Sequence, residues 1–256
     1  MTQLPEVTRY RHEIKRRQLS VARIHALTPK MLRIVLSGEE LVGFTSLGFD
    51  DHVKLLFPEG PEESKRDFTP RHYDAAAGEL WIDFYLHETG PAATWASRAT
   101  VGGSLTIAGP RGSSVISVQG IDTHVLVGDE TALPAMGRRL EELPAGARAV
   151  LVIESDGDSA AYPLAGKATC LRVDVAKSPQ GAAPGKTLID ALREVQLPKD
   201  RCFVWVATES NAARAIRRYM IEERGWDKNW IKAAGYWQRG AVGAHDVIAD
   251  DVPDPK

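Results

Sequence analysis

Near residue 120 the sequence changes its punctuation, and that change limits the fold more than any single motif does. From Arg17 to about Ile116 the apolar runs are short, and Gly, Pro or Asp ends each one. "QLSVARIHALT" and "KMLRIVLSG" join through Thr28-Pro29, and "HVKLLFP", "ELWIDFYLH" and "SLTIAGP" follow. Strands of this length and spacing predict an antiparallel barrel or sandwich. One helical patch interrupts them, "PAATWASRA", with proline at its start, where a helix tolerates it. After Gly120 apolar strands alternate with helical segments: "THVLVGD" then "ALPAMGRRLEEL", "ARAVLVIES", "TCLRVDVA" then "TLIDALREV", and "CFVWVAT" then "NAARAIRRYMIEER". Continuous apolar strands of this kind predict a parallel sheet with both faces covered by crossover helices. The expected fold is therefore β followed by α/β, with an antiparallel β-barrel over residues 1–120 and a parallel-sheet domain over 121–256. The boundary falls near 118–123, and "GYWQRG" ends the last apolar strand. The acidic tail "DDVPDPK" is expected to fray.

Charge removes several classes of partner. With 32 Lys+Arg against 34 Asp+Glu, the formal net charge of -2 gives no general attraction to nucleic acid or to an anionic membrane. Any anion must be held locally. The basic N-terminal stretch is not followed by an apolar core, and no run is long enough to span a bilayer, so a cytoplasmic protein is expected. Oligomeric state is left open, with a monomer as the default. Cys170 and Cys202 sit in strand-like runs and are expected to be buried, inert thiols.

Several catalytic classes drop out next. "GAAPGKT" has a P-loop's context, but only three residues separate Gly181 from Gly185 where phosphate wrapping needs four. Thr187 is expected to cap the following helix instead. No G-x-S-x-G elbow and no H-E-x-x-H occur, which argues against a serine hydrolase, a metal hydrolase and a protein-bound metal. The best nucleotide-type turn is the strand end at Gly128, followed by Asp129, Glu130 and Thr131. Valine at Gly128 is expected to block a nucleotide there.

Between two apolar segments lies the loop-like run "KRDFTPRHYD". Within it Arg66, Phe68 and Thr69 fit R-x-[Y/F]-[S/T], which holds flavin on a barrel that faces a nicotinamide domain. The guanidinium suits a pyrophosphate, the aromatic ring packs on the flavin, and the hydroxyl meets its polar edge. Together with "DDHVKLLFP", "WIDFYLHETGPAATWASRATVGGSLTIAGPRGS", "LVGDETALPA", "VATESNAARAIRRYM" and "GYWQRG", in that order, the chain resembles the siderophore-interacting protein family. These are flavin-containing ferric-siderophore reductases with a ferredoxin-reductase-like fold.

The resemblance implies FAD and NAD(P)H as cofactors and a ferric siderophore as the small-molecule partner, with iron as substrate. It implies FAD contacts from Arg66, Phe68, Thr69 and Arg71, from Asp83, Phe84, Leu86 and His87, and from Gly90, Pro91, Ala92, Thr94, Trp95 and Ala96. Phe68 stands where many relatives carry tyrosine. Nicotinamide contacts would come from Gly128, Asp129, Glu130, Thr131 and Ala132, and from Ala207, Thr208, Glu209 and Ser210. Lys54 and Arg239 match a basic substrate wall, with Lys232 as a weaker member. Tyr236 and Trp237 either approach the flavin or fill the domain interface. Hydride must be split into single electrons for ferric iron, which flavin does, so no catalytic acid or nucleophile is required. Two rivals remain open: a reductase that passes electrons to a ferredoxin-type protein, and a non-catalytic flavin-loaded siderophore-binding module. The choice between NADPH and NADH is also open, with Arg138 and Arg139 as candidates beside the ribose.

Overall fold

A computed structural model of the chain describes residues 4–59, 62–87, 90–241 and 246–248; the acidic tail lies outside the described residues. In the first half the strands are β1 (Val7–Arg11), β2 (Arg16–Thr28), β3 (Met31–Ser37), β4 (Val53–Glu59), β5 (Glu62–Phe68), β6 (His72–Asp74), β7 (Glu79–Tyr85), β8 (Ser104–Ala108) and β9 (Gly112–Ile116). Seven of them form one antiparallel sheet in the order β5-β4-β8-β2-β3-β7-β6. The two edges of that sheet, β5 and β6, are joined by only three residues, Thr69 to Arg71. Flat, seven strands would span about 29 Å, and such a link reaches at most about 14 Å. The sheet must therefore curl into a barrel. Alternate residues fill it: Leu19 and Val21, Ile34 and Leu36, Val53, Leu55 and Phe57, Leu80, Ile82 and Phe84, Leu105 and Ile107 are all buried. β1 and β9 pair as a separate two-stranded ribbon.

Helix α1 (Pro91–Arg98) closes one end of the barrel, with Ala92 and Ala96 buried against it. Its Trp95 ring lies 5.8 Å from that of Phe57 and 5.6 Å from that of Phe84.

The second half contains β10 (Thr123–Asp129), α2 (Leu133–Glu142), β11 (Arg148–Ser155), β12 (Thr169–Ala176), α3 (Lys186–Glu194), β13 (Cys202–Glu209), α4 (Ser210–Glu222), β14 (Ile231–Trp237) and β15 (Asp246–Ile248). Their order is β12-β11-β10-β13-β14-β15, parallel except for the antiparallel β15, which also means that β14 is not the last strand. Chain order reverses between β10 and β13, and a crevice opens at the carboxyl end of such a switch point. No helix among the described residues is long and apolar enough to cross a membrane.

Three expectations are corrected here. The run "KRDFTPRHYD" is mostly strand, the end of β5 and all of β6, with a short linker between them. Cys170 is exposed, because β12 is an edge strand whose outer residues meet solvent, whereas burial pushes the Cys202 thiol up to about 12. Thr187 does not cap α3: the cap is Gly185 in the left-handed region (φ 68°), with no side-chain bond, and the Thr187 hydroxyl bonds Glu154 at the end of β11.

Gly128 needs its missing side chain for a different reason from the expected one. A Cβ there would lie 2.3 Å from the Ala207 carbonyl oxygen and 2.6 Å from the Ala132 Cβ, so β13 and the following turn fill the space. Gly128→Val is therefore expected to damage the α/β fold itself, lowering stability by about 3 kcal/mol, as chemical denaturation would show. It would not report selectively on nucleotide binding.

Candidate active site at the domain seam

A cleft runs along the seam between the two halves. Its barrel side carries Asp67 and Phe68 from the end of β5 with Thr69 just after it, Asp83 and Tyr85 from the end of β7 with His87 just after it, and Ala92 from the start of α1. Its other side carries Glu130, Thr131 and Pro134, which follow β10, and Tyr236 of β14. His52, beside β4, completes the lining. Strand ends from both sheets thus converge on one space.

On the barrel side the sequence-predicted residues divide. Phe68 packs at 4.7 Å from Phe84, and Phe84 is itself fully buried barrel core. Asp83 lines the cleft, but its carboxylate is taken up by the Arg33 guanidinium (2.7 and 2.8 Å) and the Tyr162 hydroxyl (2.5 Å). Leu86 is partly buried against the barrel core. Arg71 points away, into a bidentate pair with Glu141 of α2 at 2.6 and 2.9 Å. Arg66 stays half-exposed, donating to the Lys65 carbonyl at 2.8 Å. Partial burial, then the charges of Arg66 and Lys177, hold the His87 imidazole below its usual pKa.

The start of α1 fits a phosphate-bearing cofactor. Gly90 caps it at φ 120° with no side-chain bond, and Pro91 occupies its first turn. A Cβ on Gly90 would come within 3.0 Å of His87 Cε1, so glycine keeps the approach to the helix N–H groups clear. Along the same helix a second hollow of about 320 Å³ is lined by Pro91, Thr94, Trp95 and Arg98, with Phe57 and Ser104. The two spaces share no lining residue, but Pro91 lines one and Ala92 the other, so both lie against the first turn of α1.

On the α/β side most polar groups hold one another. Asp129 accepts from the Thr131 N–H (2.9 Å) and hydroxyl (2.5 Å), from the Thr208 hydroxyl (2.7 Å) and from the Trp237 indole N–H (2.8 Å). Glu209 caps α4 through the Asn211 and Ala212 N–H groups, and it also accepts from the Arg239 N–H at 3.3 Å. Ala132, Ala207 and Ser210 are buried packing residues. Arg138 and Arg139 are engaged with the first half of the chain: Arg138 donates to the Ser46 hydroxyl (2.8 Å) and to the Ser46 and Pro70 carbonyls (2.7 and 3.1 Å), and Arg139 donates to the Ile116 carbonyl (3.1 Å). Both bind the domains together.

Sequence reasoning did not find a chain of polar groups across the seam. Lys177 donates to Glu130 (2.8 Å) and to the Tyr85 hydroxyl (3.0 Å), Tyr85 donates to Asp156 (3.1 Å), and Lys30 pairs with the same carboxylate (2.5 Å). Burial raises the Glu130 carboxyl; it also pulls Lys177 down, but the bonds with Glu130 and Tyr85 outweigh it and leave that ammonium raised. The only signal in the sequence was position, since Lys177 directly follows β12. Tyr236 lines the cleft and packs edge-on against Trp205 at 6.0 Å, whereas Trp237 turns toward Asp129.

Two of the three proposed wall cations have acidic partners. Lys54 touches both oxygens of Asp67 (2.9 and 3.1 Å), and Lys232 meets Asp50 at 2.7 Å. Arg239 is exposed. Among the described residues no group of His, Cys, Asp and Glu is arranged to hold a metal.

A family model described as "Siderophore-interacting protein" matches residues 121–240, and one described as "Siderophore-interacting FAD-binding domain" matches 20–65 and 60–114. The NADPH-dependent ferric-chelate reductase of Escherichia coli is 35% identical over 251 residues, 90% of this chain and 95% of that one. The ferric vibriobactin reductase of Vibrio cholerae is 29% identical over 88% of this chain and 90% of its own. Among solved structures, a siderophore utilization protein from T. fusca superposes with a TM-score of 0.82 at 36% identity, covering 93% of this chain and 98% of that one. With both halves of the chain and their order matched in this way, the chain belongs to the siderophore-interacting protein family.

Proposed function

We propose that the chain is an FAD-dependent NAD(P)H:ferric-siderophore reductase of the cytoplasm, with residues 1–120 as its flavin unit and 121–256 as its nicotinamide unit. The observation that carries this reading is the seam cleft, where a barrel wall of Phe68, Thr69, Tyr85 and His87 faces the strand-end turn of Glu130, Thr131 and Pro134. The names of the Escherichia coli and Vibrio cholerae relatives support a ferric chelate as the substrate. Bound FAD would supply the redox chemistry that links a two-electron nicotinamide donor to one-electron ferric iron.

The chain's own residues bind, orient and exclude water. Arg66 and the start of α1 would hold the phosphates, while Phe68 and Tyr85 would wall the ring. Thr131 and Pro134 present the nicotinamide, and the Lys177 bonds fix Tyr85 and Glu130 relative to each other across the seam. No side chain must give or take a proton in this scheme.

Purified protein is expected to be yellow, to bleach with NADPH or NADH without oxygen, and to recolour on addition of a ferric chelate while a ferrous trap reports Fe(II). Yellow protein that neither nucleotide bleaches would overturn the reading. Arg66→Ala is expected to weaken FAD binding about ten- to a hundredfold, the value of one charge-assisted contact, as flavin titration of the apoprotein would show.

A further inference from the structure

β12 ends the six-stranded sheet, and no strand among the described residues pairs with its outer edge. Its eight residues, Thr169–Ala176, run beside β11 without a register shift and include neither proline nor lysine. The devices that usually keep a sheet edge from pairing with another chain, a bulge, a proline or an edge lysine, are therefore missing from it. The Thr169 N–H donates to the Ala147 carbonyl, just ahead of β11. Backbone groups alternate along a strand, so Leu171, Val173 and Val175 also turn theirs toward β11, while Cys170, Arg172, Asp174 and Ala176 turn theirs outward. The outward set carries the strand's two charges, Arg172 and Asp174, which pair at 2.8 Å. On the other face Val173 and Val175 are partly buried against the core, and Leu171 is 42% exposed.

This edge is complementary to itself. Around a two-fold axis through Val173, an antiparallel second copy sets Arg172 opposite Asp174, Leu171 opposite Val175 and Cys170 opposite Ala176, each pair occurring twice. The outward-turned pairs exchange both backbone hydrogen bonds, and the apolar pairs fall where the strands come closest. Each guanidinium then lies between two carboxylates, one from its own strand and one from the other copy, with like charges only on the diagonal. Centring the pair on Arg172 or on Asp174 would set like charges face to face. We propose that β12 is a self-association surface through which two copies of this chain join their α/β sheets into one continuous sheet. A single strand pair buries less than the roughly 1,200 Å² of a standard interface, so the dimer forms and dissociates with concentration. No residue of β12 lines the seam cleft, so this association is independent of the reductase reading.

Sedimentation velocity of the full chain from about 5 to about 500 µM is expected to show a reversible shift from monomer to dimer. Asp174→Arg leaves two cations on the edge and Arg172→Asp leaves two anions, so each variant alone should stay monomeric across that range. An equimolar mixture of the two should dimerise again, because the cations of one copy then face the carboxylates of the other. Hydrogen exchange of the wild type needs no variant: the outward amides of Cys170, Asp174 and Ala176 should exchange about tenfold more slowly at the highest concentration than at the lowest. A wild-type chain that is monomeric throughout overturns the proposal. So does a dimer that survives both single substitutions, or a mixture that stays monomeric although both variants melt as wild type does. If a variant fails to fold, exchange decides alone, and a dimer without slowed exchange in β12 overturns the proposal by placing the contact elsewhere.

Discussion

Alanine in place of Asp83 is expected to lower the stability of the protein by about 3–5 kcal/mol. The wild-type carboxylate is fully covered, and the Arg33 guanidinium that grips it with two hydrogen bonds is only 12% exposed. Removing the carboxylate strands that cation in a poorly solvated place and leaves the Tyr162 hydroxyl, on a residue 1% exposed, without its acceptor. Because Asp83 belongs to β7 and Tyr162 to the second half, the loss reaches both domains. Denaturant unfolding would measure it, and a variant within 1 kcal/mol of wild type would contradict the account. Tyr162→Phe, which keeps the ion pair, is expected to cost only about 1 kcal/mol. An apolar replacement of Arg33 and Asp83 together should recover much of the single-variant loss, since neither charge is then left alone.

Acid should destabilise the protein well before its ordinary carboxylates titrate fully. His124 on β10 is fully buried, and neither ring nitrogen has a hydrogen-bond partner among the described residues. Burial, then the charge of Arg139, lowers its pKa to about 3 from 6.5. A histidine depressed in the folded state takes up its proton first in the unfolded chain. Its contribution is therefore intact above pH 6.5 and is lost as pH falls toward 3. Each pH unit in that window removes about 1.4 kcal/mol, so about 3 kcal/mol is gone by pH 4. Melting temperatures of wild type and His124→Leu across pH 7 to 4 check this: the variant's acid slope should be visibly shallower. Parallel slopes would show that His124 already takes up a proton in the folded protein.

The sequence was legible where burial wrote a period into it. β2, β3, β4, β7 and β8 announce themselves because one face is apolar, and β10, β11 and β13 because both faces are. α1 was readable from a proline at its first position. β5 was not, since "EESKRDF" is an edge strand that exists by pairing with β4, and an edge needs little apolar pattern. The same holds for β1, whose five residues are all exposed. In the site, strand ends from both halves meet in one cleft, but the fate of individual charges was hidden. Arg71, Arg138 and Arg139 look in sequence like any anion-binding arginine. Only the fold shows that α2 brings Glu141 to the first and that the other two reach carbonyls or side chains of the first half. Lys177 and Tyr85 lie 92 positions apart, so no local pattern could join them.

The bond from Trp237 to Asp129 gives the protein a built-in optical reporter. Trp205, Trp226 and Trp230 are buried, whereas Trp237 is 37% exposed with its indole N–H anchored at the end of β10. Its emission should therefore be redder and more quenchable than theirs, and it issues from the carboxyl end of β10, beside the switch point of the parallel sheet. Of those four tryptophans, Trp237 is the one whose light is expected to respond to a change at the end of β10.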